Sequence, residues 1–272
     1  MTKRLISFVV VLLAFLPLFS HSLIPVSGKV ENGYNFWFYT PKEALEEPAD
    51  SFPLVIYLHG RSLNGTNLET VKKYGTITAL DRGREIEAFV IGPQNPGGFW
   101  KPEKLMNTVD YVCENFNVDT DRIYVLGMCL GGYGALDFAA TYPDRIAAAI
   151  GVSGGAYVKD ISGLAEMPVW LIHGTNDASV PVSESDKVAN KVREAQEDEI
   201  DRLAYSRLNG VNHSKTVRIF YNSETYDWLL SHSLSTPGRP VTPPEELNEE
   251  YFGKSYNGLS RGKSSSNGKK QK

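Results

Sequence analysis

Arg122-Ile-Tyr-Val-Leu-Gly-Met-Cys-Leu-Gly-Gly132 is the stretch on which the fold turns. An apolar, β-branched run ends at Leu126, small residues surround Cys129, and an alanine-rich helical run follows from Tyr133 to Tyr142. Strand, sharp turn and helix in that order form a nucleophile elbow, with one reactive side chain at the tip. The glycines have a physical purpose. A side chain beside the turn would collide with neighbouring elements, and the central residue is forced into strained backbone angles. That central residue is more often serine. Here it is Cys129.

Working outward, further apolar runs have the same character. Pro53-Leu-Val-Ile-Tyr-Leu58, residues 88–91, 123–126, 147–152 and 169–172 are nearly unbroken, as expected of strands buried on both faces. Residues 35–39 and 202–208 predict two more strands, the first early and the second late. Helical patterns lie between them at 69–81, 103–115, 130–141 and 182–196, with a last helix at 223–231. Strands alternating with helices of ten or more residues predict an α/β fold, a mostly parallel central sheet with helices on both faces.

The chain has 272 residues, 42% of them hydrophobic, enough for one sizeable core. Its formal net charge of −4 points away from a nucleic-acid partner. Residues 1–22 have the build of a signal peptide. Lys3 and Arg4 precede an apolar stretch broken by Pro17, and Ser20 and Ser22 suit the −3 and −1 positions of a cut after Ser22. The stretch is too short to favour a span, which needs about 20 apolar residues. The expectation is a cleaved leader, a secreted or periplasmic protein, and no membrane span afterwards. Residues 23–235 then form the domain. From Thr236 the composition turns to Pro, Gly, Ser, Asn and Lys, so 236–272 is expected to be a disordered basic tail. Two cysteines are present, Cys113 and Cys129. A bridge between them is the default in an oxidising compartment, but a nucleophilic Cys129 must be free, and Cys113 then reads as a small buried helix residue.

In a parallel sheet, functional groups gather beyond the carboxyl ends of the strands. Asp177 follows the run ending at Ile172, and His213 follows the run ending near Leu208. The chain order Cys129, Asp177, His213 is nucleophile, acid, histidine. His213 would take the thiol proton and Asp177 would fix the imidazole tautomer. Backbone N–H groups of Leu130 and of Arg61, in His59-Gly60-Arg61-Ser62, would hold an oxyanion. Two of these residues have a plainer alternative: Cys129 as a core residue, Asp177 as a turn or N-cap residue.

The segments Pro53 to Gly60, Gly92-Pro-Gln94 with Trp100, Asn117 to Gly127, Pro168 to Gly174 and Tyr226-Asp-Trp-Leu-Leu230 together resemble secreted α/β-hydrolase esterases of the polyhydroxybutyrate-depolymerase and feruloyl-esterase-like group. The elbow itself, Gly-x-Cys-x-Gly-Gly, looks like that of dienelactone hydrolase. The resemblance implies the α/β-hydrolase fold, hydrolysis of a carboxylic ester, and no metal or organic cofactor. With Cys129 as nucleophile the route is a thioester, and the motifs leave open a small-molecule ester, a lactone or a polysaccharide-linked ester as substrate. It also implies structural roles for His59 and His173. His232, at the end of the last helix, is expected on the surface, and Trp100 is a candidate either for lining the substrate pocket or for the core. Two positions depart from the group: Cys129 replaces serine, and Asn212 replaces the glycine before the histidine. A catalytically weak or inactive relative that acts as a binding protein is the alternative.

Overall fold

A computed structural model describes residues 22–260. The leader therefore lies outside the described residues, apart from Ser22, and so do residues 261–272.

Eight strands form one sheet: β1 (Ser22–Val26), β2 (Phe36–Thr40), β3 (Phe52–Leu58), β4 (Phe89–Pro93), β5 (Val118–Met128), β6 (Ala148–Val152), β7 (Val169–Gly174) and β8 (Leu203–Leu208). Their spatial order is β1-β2-β4-β3-β5-β6-β7-β8. The pairs β1–β2 and β2–β4 are antiparallel, and the other five are parallel. The helices are α1 (Lys42–Glu46), α2 (Thr76–Asp81), α3 (Pro102–Asn115), α4 (Leu130–Thr141), α5 (Ser183–Ala195), α6 (His213–Thr216), α7 (Ser223–Leu230) and α8 (Glu249–Gly253).

The continuous apolar runs follow from two covered faces. In β3, Leu54, Ile56 and Leu58 join one core with Val109 of α3, Leu136 of α4 and Val188 of α5. Val55 and Tyr57 join the other with Ile77 of α2, Leu229 of α7 and Phe252 of α8. β7 repeats the alternation, sending Leu171 to the first core and Trp170 and Ile172 to the second. The covered stretches of the inner strands are thus nearly unbroken apolar runs although their side chains alternate between the two cores.

Several expectations need correction. The predicted helix at 69–81 is two elements, a 3-10 helix at Leu68–Lys73 and α2, separated by Gly75 at φ +88°. A Cβ on Gly75 would fall 1.9 Å from the Tyr57 hydroxyl, so the break is imposed by packing against the sheet. β1 is an additional edge strand, and Pro25 is tolerated there because an edge leaves donors unused. The segment 236–260 is not a disordered tail. Val241 N–H donates to Asp201 O, Trp228 Nε1–H donates to Thr242 O (2.7 Å), and Asn248 caps α8, which buries Tyr251 and Phe252. These two rings, with Leu247, supply the burial that the surrounding polar composition obscured. His232 is buried by the same segment. Its Nδ1–H donates to Trp228 O and its Nε2 accepts from Thr242 N–H. Cys113 and Cys129 are both free thiols.

Candidate active site

Cys129 sits at the end of β5 with φ 56° and ψ −123°, immediately before α4. Its N–H donates to Val152 O (2.9 Å) and its carbonyl accepts from Tyr133 N–H (3.1 Å), so both neighbours fix the turn. The flanking glycines are obligatory. A Cβ on Gly131 would lie 1.9 Å from Leu58 O, and one on Gly127 would lie 2.2 Å from Gly131 O. Both contacts are with backbone, which cannot step aside.

The structure brings Asp177 and His213 to the same edge. Asp177 lies in the loop after β7 with its side chain fully buried, and Oδ1 accepts from Ser179 N–H (2.8 Å) and Val180 N–H (2.9 Å). Its other oxygen, Oδ2, accepts from His213 Nδ1–H at 2.6 Å. A carboxylate only accepts, so the proton on Nδ1 is fixed and Nε2 is the free nitrogen. His213 opens the one-turn helix α6, which Asn212 caps by accepting from Lys215 N–H (2.9 Å). Asn212 has φ −95°, an angle any residue adopts, so the missing glycine is not needed for the turn.

Cys129 and His213 favour each other's charged form. Burial alone would raise the Cys129 thiol. The hydrogen bond and charge of His213, with the N–H groups of Leu130 and Arg61, outweigh burial and hold the thiol below its ordinary value. Conversely, the bond to Cys129, opposed by burial and reinforced by Asp177, raises His213 above the ordinary histidine value. The N–H groups of Leu130 and Arg61, the pair expected to hold an oxyanion, are thus both among the groups that lower the thiol. His59 and His173 are fully buried, with both ring nitrogens of each in hydrogen bonds.

Two clefts meet at Cys129. One, of about 390 Å³, is lined by Arg61, Phe99, Leu130, Tyr133, Tyr157 and Glu184 among others. The second, of about 410 Å³, is lined by Tyr74, Met128, Ser179, His213 and Val217 among others. Trp100 lines neither. It is only 3% exposed, stands edge-on to His59 at 5.0 Å, and its Nε1–H donates to His59 O (3.3 Å). The cleft side of the candidate role passes to Phe99, which is 57% exposed and lies 4.0 Å from Tyr157, centroid to centroid. Tyr157 in turn stacks on Tyr133 at 4.2 Å. This shelf went unseen in the sequence. The signal for it was Pro96-Gly97-Gly98, whose glycines at φ +154° and +74° swing Phe99 out of the loop after β4. Among the described residues no group of three or more His, Cys, Asp or Glu side chains could hold a metal, and no helix is long and apolar enough to cross a membrane.

Residues 101–214, from the start of α3 to the candidate histidine, match the dienelactone hydrolase family. A poly(3-hydroxyalkanoate) depolymerase C from Paucimonas lemoignei is 28% identical over 128 residues, covering 40% of this chain and 29% of that protein. A bifunctional acetylxylan esterase/xylanase from Neocallimastix patriciarum is 25% identical over 138 residues, covering 47% of this chain and 20% of that protein. The chain thus spans less than a third of the length of these curated relatives. Among solved structures, a thermostable esterase superposes with a TM-score of 0.61 at 23% identity, over 79% of this chain and 63% of that one. The chain has the α/β-hydrolase fold, and its residues 101–214 match the dienelactone hydrolase family.

Proposed function

We propose that this chain hydrolyses carboxylic esters through Cys129, His213 and Asp177. The observation that carries the reading is a strained thiol at the tip of the elbow, sharing one cleft with an imidazole that a buried carboxylate holds from behind at 2.6 Å. Cys129 Sγ, as the thiolate, adds to the acyl carbon. The carbonyl oxygen becomes an oxyanion that accepts from Leu130 and Arg61 N–H. The tetrahedral intermediate collapses, the C–O bond breaks, and His213 Nε2–H gives its proton to the departing alkoxide. A thioester remains. His213, now neutral, takes a proton from water, the hydroxide adds to the thioester, and collapse releases the acid and restores the thiolate–imidazolium pair.

The clefts divide the substrate by the same chemistry. The leaving oxygen must lie near His213, so the alcohol occupies the cleft that His213 lines. The acyl group then runs past Arg61 and Leu130 onto the shelf of Phe99, Tyr157 and Tyr133. An open aromatic shelf favours a flat acyl group by stacking. The relatives' ester polymers, a polyhydroxyalkanoate and acetylxylan, fit a small-molecule or polysaccharide-linked ester as the substrate class. We take residues 1–22 as a cleaved leader and the protein as secreted or periplasmic; mature protein whose amino terminus is Leu23 would bear this out.

The test is hydrolysis of short nitrophenyl esters by the wild type, Cys129→Ser and Cys129→Ala, with iodoacetamide labelling in parallel. Turnover by the wild type, its loss in Cys129→Ala and alkylation at Cys129 below neutral pH are expected. No turnover across a broad ester panel, together with an unreactive Cys129, would leave the inactive binding relative as the better reading.

A further inference from the structure

A second histidine stands behind the acid. His173, in β7, is fully buried, and its Nε2 lies 2.9 Å from Val180 O and 3.5 Å from Asp177 Oδ2. That oxygen is the one receiving the proton of His213. Val180 is bound twice: its N–H holds Asp177 Oδ1 and its carbonyl meets His173. On the far side of the ring, Nδ1 lies 2.7 Å from Ser185 Oγ in α5, and that hydroxyl lies 2.8 Å from Gly154 O at the end of β6. Both Val180 O and Asp177 Oδ2 only accept, so His173 must carry its proton on Nε2. The ring therefore presents one N–H into the angle between the acid and the peptide that seats the acid.

We infer that His173 is a positioning residue for the triad: its Nε2–H fixes Val180, whose N–H seats Asp177, and lies 3.5 Å from Oδ2, so that Oδ2 stays aligned on His213. The inference rests on the reading of Cys129, His213 and Asp177 as an ion-paired triad. It goes beyond a filling role for a buried ring, because only one of the two nitrogens matters to the site. The Ser185 side ties α5 to β6; the Nε2 side sets the acid. If Nε2–H is lost, Asp177 samples other orientations, His213 loses part of its carboxylate, and the thiolate loses part of its imidazolium.

The test uses the full chain with three substitutions and a readout independent of any ester, the rate of Cys129 alkylation by iodoacetamide against pH. Mass spectrometry separates Cys129 from Cys113, whose thiol burial pushes up. The titratable groups facing Cys129 and His213 are Asp177, His173, Tyr74, Tyr133 and Tyr157; those facing His173 are Asp177, His213, Glu184 and Asp186. None of these is altered in the variants except His173 itself. His173→Asn keeps a polar atom near Ser185 and abandons the Nε2 position. His173→Gln places an amide N–H near that position. For His173→Asn the alkylation limb is expected to move up by about one pH unit, the size of one weakened hydrogen bond to a charged group. On a nitrophenyl ester, kcat should fall about tenfold with KM nearly unchanged. His173→Gln should return the limb most of the way to the wild type. Ser185→Ala should lower the melting temperature and leave the limb in place. A limb unmoved in His173→Asn, a Gln variant no better than Asn, or a Ser185→Ala limb displaced as far as that of Asn would each overturn the inference. If the wild type turns over no ester, the hydrolase reading fails, and the alkylation limbs still decide the role of His173.

Discussion

Acid should unseat the loop that carries Arg61, and His59 is the group through which it acts. His59 follows β3, is fully buried, and is held in one neutral tautomer: Nδ1–H donates to Gly60 O (2.9 Å) and Nε2 accepts from Asn95 N–H (3.1 Å). A proton on Nε2 would face the Asn95 N–H, donor against donor. Burial is the main cause that lowers this histidine from 6.5 to about 4, with the Gly60 bond opposing it. The depressed value fixes the sign. Between pH 6.5 and 4 the unfolded chain binds the proton and the folded chain does not, so stability is fully present above 6.5 and is lost as pH falls toward 4. A fall from 6.5 to about 4 corresponds to about 3 kcal/mol, a large share of the roughly 5–15 kcal/mol typical of a domain. His173 and His232 are also lowered, chiefly by burial, and add in the same direction. Urea melts of the wild type and His59→Gln at several pH values from 7.5 to 4 isolate the His59 part. The variant is weaker at neutral pH, and the gap should narrow by about 3 kcal/mol toward pH 4. A gap that stays constant with pH would refute the argument, because it would mean that His59 takes up its proton without opposition in the folded state.

Two further outcomes test the site and the fold. Asp177→Asn keeps the buried shape but offers an amide to His213 Nδ1; in serine triads that change costs about 10⁴ in kcat. A thiol already ionised asks less of its base, so we expect a loss of about 10²-fold, with Cys129 alkylation displaced to higher pH; a kcat within twofold of the wild type would exclude Asp177 as the orienting acid. Tyr251→Ala removes a ring that is 2% exposed and whose hydroxyl meets Thr225 Oγ1 at 2.8 Å. The loss should be about 3–5 kcal/mol in denaturant melts, whereas a solvated tail would yield less than about 0.5 kcal/mol.

The parts of the fold legible in the sequence were those whose local signal and tertiary setting agree. β3 and β7 stand out because both their faces are covered, which leaves unbroken apolar runs. The helix starting at Leu130 was equally plain, since the glycines of the elbow mark its first turn. Asp177 and His213 could be picked out because each follows a strand, and the chain order restricts the choice. What stayed hidden depends on contacts between distant segments. Nothing local in residues 69–81 announces that the Tyr57 ring occupies the space a side chain at Gly75 would need. Leu247, Tyr251 and Phe252 are a few apolar residues in a polar segment, and only the sheet face they cover gives them meaning. Phe99 and Trp100 are neighbours of similar chemistry. Which enters the core is decided by the room that Gly134 leaves, where a Cβ would fall 2.5 Å from the Trp100 ring.

The choice between a working thiol and a drifted serine can be argued from strain. Cys129 holds φ 56° with a side chain attached, a conformation that costs about 1–3 kcal/mol and persists only where surroundings over-determine it. Glycine would adopt it at little cost. A protein that only needed the turn would gain stability by discarding the side chain, and would have no reason to bury Asp177 fully behind a histidine. Here the strained residue carries a thiol, the partner histidine is raised, and the carboxylate is seated by two backbone N–H groups. The backbone strain costs stability, and all three features bear on one sulfur. That arrangement favours a nucleophile in use, and the alkylation of Cys129 below neutral pH is the observation on which it stands or falls.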